Sequence, residues 1–501
     1  MVILLRALLA LMTGLVFVSC GSSSNSNALA KPGISTVVIT PIAPDINARA
    51  TAAAIQSDGK IVAAGYSFDG GKNVFALIRY LNDGVSDGTP DTTFGTNGIV
   101  TTPIGTVDAE AQALAVQSAD QKLVVAGFSY NGSQYVFTVA RYNPDGTLDA
   151  GFGSGGTGIV TTPIGSLDDR AFAVVIQSDG KIVVAGYSTV IAGMAVQSRI
   201  ALVRYTQAGA ADAGFGTNGI VITDPSALSV PVSGYCNPID PSTPLPCPSP
   251  TGIRANAVTI KPDPPNGDLI IVAGVANGMT VINGKKVTVQ DVILAARYKE
   301  DGTPDTSFNG SDLSNATGVV TTAIGTGYEN DEATAVAIDE NDSVVVAGSA
   351  FASQRTVAVV RYTDDGSLDT TFNNKGTVTT PIDTHAGATA LGFYLNTQLN
   401  EQQIVVAGTA YNKTYGEFVL ARYNPDGHLD STFGSGGKVT TEIRYGAGAF
   451  GLAMQSDGKP VAAGYSRGYT NPPPQNQSPS EFTLARYGTD GKLDTTFPPQ
   501  P

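Results

Sequence analysis

The 501 residues carry a formal charge of −14, with 43 Asp and Glu against 29 Lys and Arg, 58 Gly and no Trp. A nucleic-acid partner is excluded, because phosphate binding rests on clustered Lys and Arg and no such cluster occurs. The length suits two or three ordinary domains or one large repeat architecture, and the abundance of Gly, Ala, Val, Ile and Thr favours short strands joined by tight turns.

In chain order, Arg6 and the apolar run Leu8–Val18 read as an export signal too short to cross a bilayer as a mature helix. The run Val18-Ser19-Cys20-Gly21, followed by Ser and Asn, resembles a bacterial lipoprotein signal, with Phe17 where an aliphatic residue is usual. That resemblance implies removal of residues 1–19, lipidation of Cys20 and a tether over 20–35. Gly21, standing where an Asp would retain the protein at the inner membrane, implies the outer membrane. The lipid would then be the chain's sole membrane contact. An ordinary secretory signal with an incidental Cys20 is the competing reading.

Beyond the tether the sequence repeats itself. The segment Ile55-Gln56-Ser57-Asp58-Gly59-Lys60-Ile61-Val62-Ala63-Ala64-Gly65-Tyr66 returns at 116–128, 176–187 and 454–465, with weaker copies at 260–275, 338–349 and 399–409. An apolar run ending in Arg-Tyr follows each copy, at Arg79, Arg141, Arg204, Arg297, Arg361, Arg422 and Arg486. Asp-x-x-Phe comes next, at Asp91, Asp149, Asp212, Asp305, Asp369, Asp430 and Asp494. Each of the seven units reads as four strands: A before the Asp-Gly turn, B after it, C ending in Arg-Tyr, and D as in Gly98–Ile104. Strand B is apolar throughout, which predicts burial on both faces, and the Pro near the end of D suits an outer strand. Four antiparallel strands in each of seven units predict an all-β, seven-bladed β-propeller over 36–497, followed by a short tail at 498–501.

The ends predict how the ring closes. The seventh unit stops at Phe497 without a D strand, while Thr36-Val37-Val38-Ile39-Thr40-Pro41-Ile42 is a D-type strand with no unit of its own. An N-terminal strand completing the last blade accounts for both, whereas an open solenoid would want polar caps.

The order and length of these motifs, as in Gln177–Tyr187 and Ala421–Gly434, resemble the delta-60 repeat family of bacterial exported proteins. The resemblance covers Thr36–Phe497 and implies a propeller and export, with no shared activity.

Residues that invite a chemical reading are few. Cys236 and Cys247 lie in one Pro-rich insertion, 224–251, and in an oxidising compartment read as a local disulfide. The recurrence of Arg and Asp in every unit favours a structural ion pair over a catalytic centre, with the Phe packing between blades. The turns 143–149 and 424–430 hold oxygens at spacings reminiscent of a calcium loop. Their register fails, with Arg141 and Arg422 at the first-ligand position and Phe152 and Phe433 at the last, so turns without calcium are expected, a calcium-stiffened adhesin being the alternative. His385 and His428 fall in different units, and no nucleophile or metal-binding motif occurs. Glu110, Asp168, Asp169, Glu329 and Asp331 precede A strands, where channel carboxylates would gather.

In an A-B-C-D blade the B–C and D–A loops share one face. Most of the length variation falls there, in B–C loops that include 188–198, 276–290 and 466–480, as does the insertion, with Phe68, Tyr130, Tyr235, Lys285, Lys286, Tyr411, Tyr415, Arg467 and Tyr469. The expectation is a monomeric, non-enzymatic binding or scaffold module without a cofactor, meeting protein or glycan at the cell envelope. A glycan-directed hydrolase or lectin with channel carboxylates is the second reading.

Overall fold

The computed structural model describes residues 36–498, apart from 43–46, 193–194, 226–251, 283–284, 311–316, 326–329, 413–414, 445 and 469–478. Seven four-stranded antiparallel sheets follow one another along the chain. In the first, strands Ala48–Ile55, Ile61–Phe68, Asn73–Tyr80 and Ile99–Thr102 pair in sequence order from inside to outside. The turn between the first two carries Gly59 at φ +85°, with the Asp58 carboxylate accepting the Lys60 amide at 3.1 Å. Glycine takes that backbone angle without strain, and Asp-Gly fills this turn in blades 1, 3 and 7, while Gln121 and Asp342 take positive φ there in blades 2 and 5.

The two middle strands are apolar on both faces because each sheet is sandwiched between two others. Val62, Phe75 and Leu77 pack on Ala109, Leu123 and Val125 of blade 2, while Ala63, Ile78 and Tyr80 pack on Val461, Ala463 and Leu484 of blade 7. Alternate side chains of one strand thus serve opposite neighbours, each fully buried aliphatic contributing about 1.5–3 kcal/mol.

The ring closes as a strand exchange between the two ends. Val37–Thr40 pairs antiparallel with Ser480–Arg486 of the last blade, Val37 opposite Ala485 and Thr40 opposite Phe482. The Tyr of each Arg-Tyr pair then bonds across a blade boundary to an outer-strand Thr. The pairs are Tyr80–Thr40, Tyr142–Thr102, Tyr205–Thr162, Tyr298–Thr223, Tyr362–Thr322, Tyr423–Thr380 and Tyr487–Thr441, at 2.6–3.1 Å. Burial raises every one of these phenols, Tyr298 to about 12. The closing strand's Thr40 makes the same bond as the other six boundaries, at 3.1 Å against 2.6–2.8 Å elsewhere.

Two readings of strand extent need correction. The outer strands hold four residues, so Pro103 lies just beyond Ile99–Thr102. The segments 188–198 and 276–290, read as loops, are largely strand. Hairpins Ile182–Ala192 with Ala195–Tyr205, and Gly267–Ile282 with Lys285–Tyr298, run past the body of the propeller. Their β-branched runs, such as Thr189-Val190-Ile191, sustain pairing where a loop was expected. Lys285 and Lys286 fall within that second hairpin, opposite Ile282 and Val281.

Arg and Asp form a repeated clamp. In every blade the Arg Nε donates to the Asp carboxylate at 2.7–2.9 Å. The same guanidinium lies 4.5–4.9 Å from the ring of the following Phe. In blades 1 to 6 it also donates to a main-chain carbonyl of the next blade, at Pro144, Gln207, Glu300, Asp364, Pro425 and Thr489. At the seam, side chains replace that carbonyl: Arg486 reaches Asn82 at 2.7 Å and Asp87 at 2.8 Å.

Tyr80→Phe and Tyr142→Phe should each cost about 1 kcal/mol in urea unfolding; a silent Tyr80→Phe would mean that the closing strand is loosely held. Asp149→Asn leaves Arg141 buried without its counter-charge, at a cost of about 3 kcal/mol or more. Burial alone would raise the Asp149 carboxyl, but the Gly151 amide, Lys122 and Arg141 outweigh it and hold it below its ordinary value. The same net lowering holds at the other six blades. A carboxyl lowered in the folded state stabilises above its unfolded pKa of about 3.9, and that stability disappears as pH falls through the folded value. Melting temperature should therefore drop steeply below about pH 4, less so in Asp149→Asn.

Candidate functional site

Every innermost strand carries a β-bulge at the same place. Register slips between Ala50 and Ala52, and at the six equivalent positions through Ala449 and Gly451. The extra residues are Thr51, Gln112, Phe172, Asn256, Thr334, Thr389 and Phe450, and all of them line one cavity of about 380 Å³. The second strand makes room for the bulge with glycine. A Cβ on Gly65, Gly127, Gly186, Gly274, Gly348, Gly408 or Gly464 would stand 1.9–2.0 Å from a carbonyl oxygen of the inner strand. The Ala-Gly of each repeat is thus a requirement of the bulge beside it.

Four bulge side chains also tie blade to blade. Thr51 donates to the Ala111 carbonyl at 2.9 Å, Asn256 to Ala333 at 2.7 Å, Thr334 to Ala388 at 2.7 Å and Thr389 to Ala449 at 2.8 Å. Two residues before each bulge residue, the ring reads Arg49, Glu110, Arg170, Arg254, Glu332, Gly387 and Gly448. These positions lie at the start of the inner strands, so the cavity opens on the face shared by the B–C and D–A loops.

The mouth is polar and ringed with aromatics. Glu110 accepts from Asn73 at 3.0 Å and Gln112 at 3.3 Å, and burial raises its carboxyl. Glu332 accepts from Arg254 at 2.6 Å and Asn256 at 3.0 Å. The Arg49 guanidinium lies over Phe450, 3.7 Å from its centroid, and Phe450 stacks on Tyr465 at 5.9 Å. Arg170 lies between Phe128 and Tyr135, at 4.6 and 4.4 Å. Below the bulges the shaft turns apolar: a second space of about 200 Å³ shares Thr51, Gln112, Phe172 and Phe450 with the first and adds Ala52, Ala113, Leu114, Leu391 and Leu452.

Of the acids expected at the channel, Glu110 alone lines it among the described residues. Asp169 is buried and accepts from the Ile164 and Gly165 amides, and Asp331 takes the same role with Ile324 and Gly325. Asp168 stands 3.6 Å from Arg170. Glu329 is outside the described residues, as are Cys20, Tyr235, Cys236, Cys247 and Tyr469. Glu332, one residue after Asp331, is the second channel carboxylate. A residue count cannot separate it from Asp331 without the strand's facing.

The expected recognition residues scatter around the rim. Phe68, Tyr411 and Arg467 are exposed. Tyr130 is half-buried against Tyr135, with centroids 5.4 Å apart, and Tyr415 is half-buried. His385 is exposed at the start of an inner strand, and His428 lies in an exposed turn, 3.3 Å from Asp426. The Asp-Gly turns spend their oxygens on their own backbone, Asp145 accepting the Thr147 amide and hydroxyl at 2.9 and 2.6 Å. Among the described residues, no three His, Cys, Asp or Glu groups come together as metal ligands. No described helix is long and apolar enough to cross a membrane.

Six segments of the chain, 56–94, 118–152, 177–215, 341–372, 403–433 and 455–497, match a family described as a domain of unknown function (DUF5122) beta-propeller. They fall in blades 1, 2, 3, 5, 6 and 7, so the chain is a propeller repeat protein. No curated protein matches. Solved structures similar to it include a protein of unknown function from Dyadobacter fermentans, 12% identical over 90% of this chain and 97% of that one, with a TM-score of 0.38. The periplasmic gluconolactonase of Pseudomonas aeruginosa is 13% identical over 90% and 98%, with a TM-score of 0.41. The intramolecular trans-sialidase from Ruminococcus gnavus is 10% identical over 91% and 96%, with a TM-score of 0.36. Likenesses this distant carry nothing about chemistry.

Gly127→Ala tests how the bulge positions the site. Its Cβ would fall 2.0 Å from the Glu110 carbonyl oxygen. The expected loss is about 3 kcal/mol in urea unfolding; a loss below about 0.5 kcal/mol would show that the inner strand gives way freely.

Proposed function

We propose that this seven-bladed propeller is a non-enzymatic binding module of the bacterial cell envelope, acting through the face onto which its channel opens. One observation carries the reading. The Arg, Asp, Phe and Tyr that clamp the ring are the same in all seven blades, whereas the channel mouth mixes Thr, Gln, Phe and Asn at the bulge and Arg, Glu and Gly two positions before it. Repetition serves a scaffold, and a varied, concave, partly aromatic mouth on a rigid scaffold serves recognition. Lipidation at Cys20 after export, outer-membrane residence and membership of the delta-60 repeat family belong to the same proposal. They rest on the N-terminal sequence and on the order of the repeat motifs.

A glycan is the second reading, and the two channel carboxylates favour it. Both Glu110 and Glu332 are held by amide or guanidinium donors. Carboxylates fixed in that way suit acceptance of sugar hydroxyls better than proton transfer, which favours a lectin over a hydrolase.

The test is binding of the chain from residue 20, carrying Cys20→Ser, to envelope extract and to a glycan array. Replacing 224–251 by a short Gly/Ser linker, or Phe172 by Ala, should weaken capture at least about tenfold and leave melting nearly unchanged. Asp58→Ala on the opposite face should leave capture intact. Binding that survives every change on the mouth face and falls with Asp58→Ala would overturn the proposal. Mass spectrometry of the membrane fraction checks the anchor: a soluble, unmodified chain would refute it.

A further inference from the structure

Among the charged side chains at the channel mouth, Arg49 stands apart. Arg254 has Glu332 at 2.6 Å and Arg170 has Asp168 at 3.6 Å. Arg49 is half-buried and lies flat on Phe450, and no carboxylate among the described residues comes within ion-pairing distance of it. Its Nε is buried without a hydrogen-bond acceptor. A cation partly withdrawn from water and left without a counter-charge favours an incoming anion.

Phe450 and Tyr465 are packed too closely on their other side for a further side chain. At the ring position that carries Arg or Glu in blades 1 to 5, blades 6 and 7 carry Gly387 and Gly448. A Cβ on Gly448 would stand 2.8 Å from Thr409 Oγ1, 3.2 Å from Tyr465 and 3.4 Å from Phe450. Arg49, bonded to the Tyr66 hydroxyl but with no carboxylate partner, lines the cavity of about 380 Å³ together with Tyr66, Glu110 and Gln112.

We infer that the channel mouth binds a sugar acid, its carboxylate on the Arg49 guanidinium and its hydroxyls on Gln112 and Glu110. The inference rests on the mouth being the binding face and deepens that reading to a ligand class. A monoanion fits better than phosphate, because one guanidinium balances one charge and Glu110 and Glu332 at the same mouth repel a second. Hydroxyl-rich ligands fit the fixed acceptors, and the exposed edges of Phe172 and Phe450 give apolar contact for a sugar ring. The acid can arrive free or as the end of a polyuronate, since both present the same group.

Titration calorimetry of the Cys20→Ser chain from residue 20 with D-glucuronate, a glucuronate oligomer, D-glucose and inorganic phosphate tests it. Glucuronate or its oligomer should bind at least about tenfold tighter than glucose, the scale of one charge-assisted contact. A tighter oligomer would mark a polymer end as the source, and equal affinities a free acid. Arg49→Gln should erase the preference for the acid. Glu110→Gln, which removes a repelling charge, should strengthen glucuronate binding relative to glucose, and it serves as the test if Arg49→Gln does not fold. Equal affinity for glucose and glucuronate, tighter binding of phosphate, a preference that survives Arg49→Gln, or no binding of either acid would each overturn the inference. Envelope capture that persists through those failures would leave the binding-module reading standing.

Discussion

A guanidinium withdrawn from water at a blade boundary has to be satisfied on every side, and that demand organises the ring. Nε goes to an Asp of its own blade, the planar face goes to a Phe, and an Nη reaches the next blade. One side chain thereby fixes the end of the third strand, the turn after it and the angle to the neighbour. Removing any one partner leaves a buried charge, a larger penalty than the pair's own net worth. Seven such clamps in series make the relative placement of the blades stiff, and that stiffness is what a site assembled from all seven requires.

The architecture was readable because propeller construction writes itself into periodicity. Asp-Gly, Arg-Tyr and Asp-x-x-Phe mark turns and strand ends in fixed order, and the leftover strand at Val37–Thr40 announces its partner by being missing from the last unit. The channel was harder to read. Whether Asp331 or Glu332 faces the channel depends on the facing of a single residue, and the bulge after Ala333 follows directly. The signal was nevertheless present in two places: the Ala-Gly of each second strand, and the irregular residue between paired alanines in six of the first strands and between Ala449 and Gly451 in the seventh. Their meaning emerges only when the two strands are placed side by side.

The bulge also explains why scaffold and site vary independently. Its backbone geometry is set by a glycine on the partner strand, so the bulged residue itself is free to be Thr, Phe, Asn or Gln. Where it is Thr or Asn, the side chain reaches a neighbouring carbonyl and reinforces the ring; where it is Phe, it gives the mouth an apolar wall. A repeat built this way can change what its centre presents without altering how its blades pack.

Pairing a strand that precedes all seven blades with the last blade has a temporal consequence. Val37–Thr40 is synthesised before any blade and Ser480–Arg486 within the seventh, so the leading strand has no native partner until the seventh blade has emerged. Such a long-range pairing forms late and slowly. Closure therefore works as a check on the ring: a chain that lacks its seventh blade keeps an open edge accessible to chaperones and proteases, and only the seventh blade conceals it.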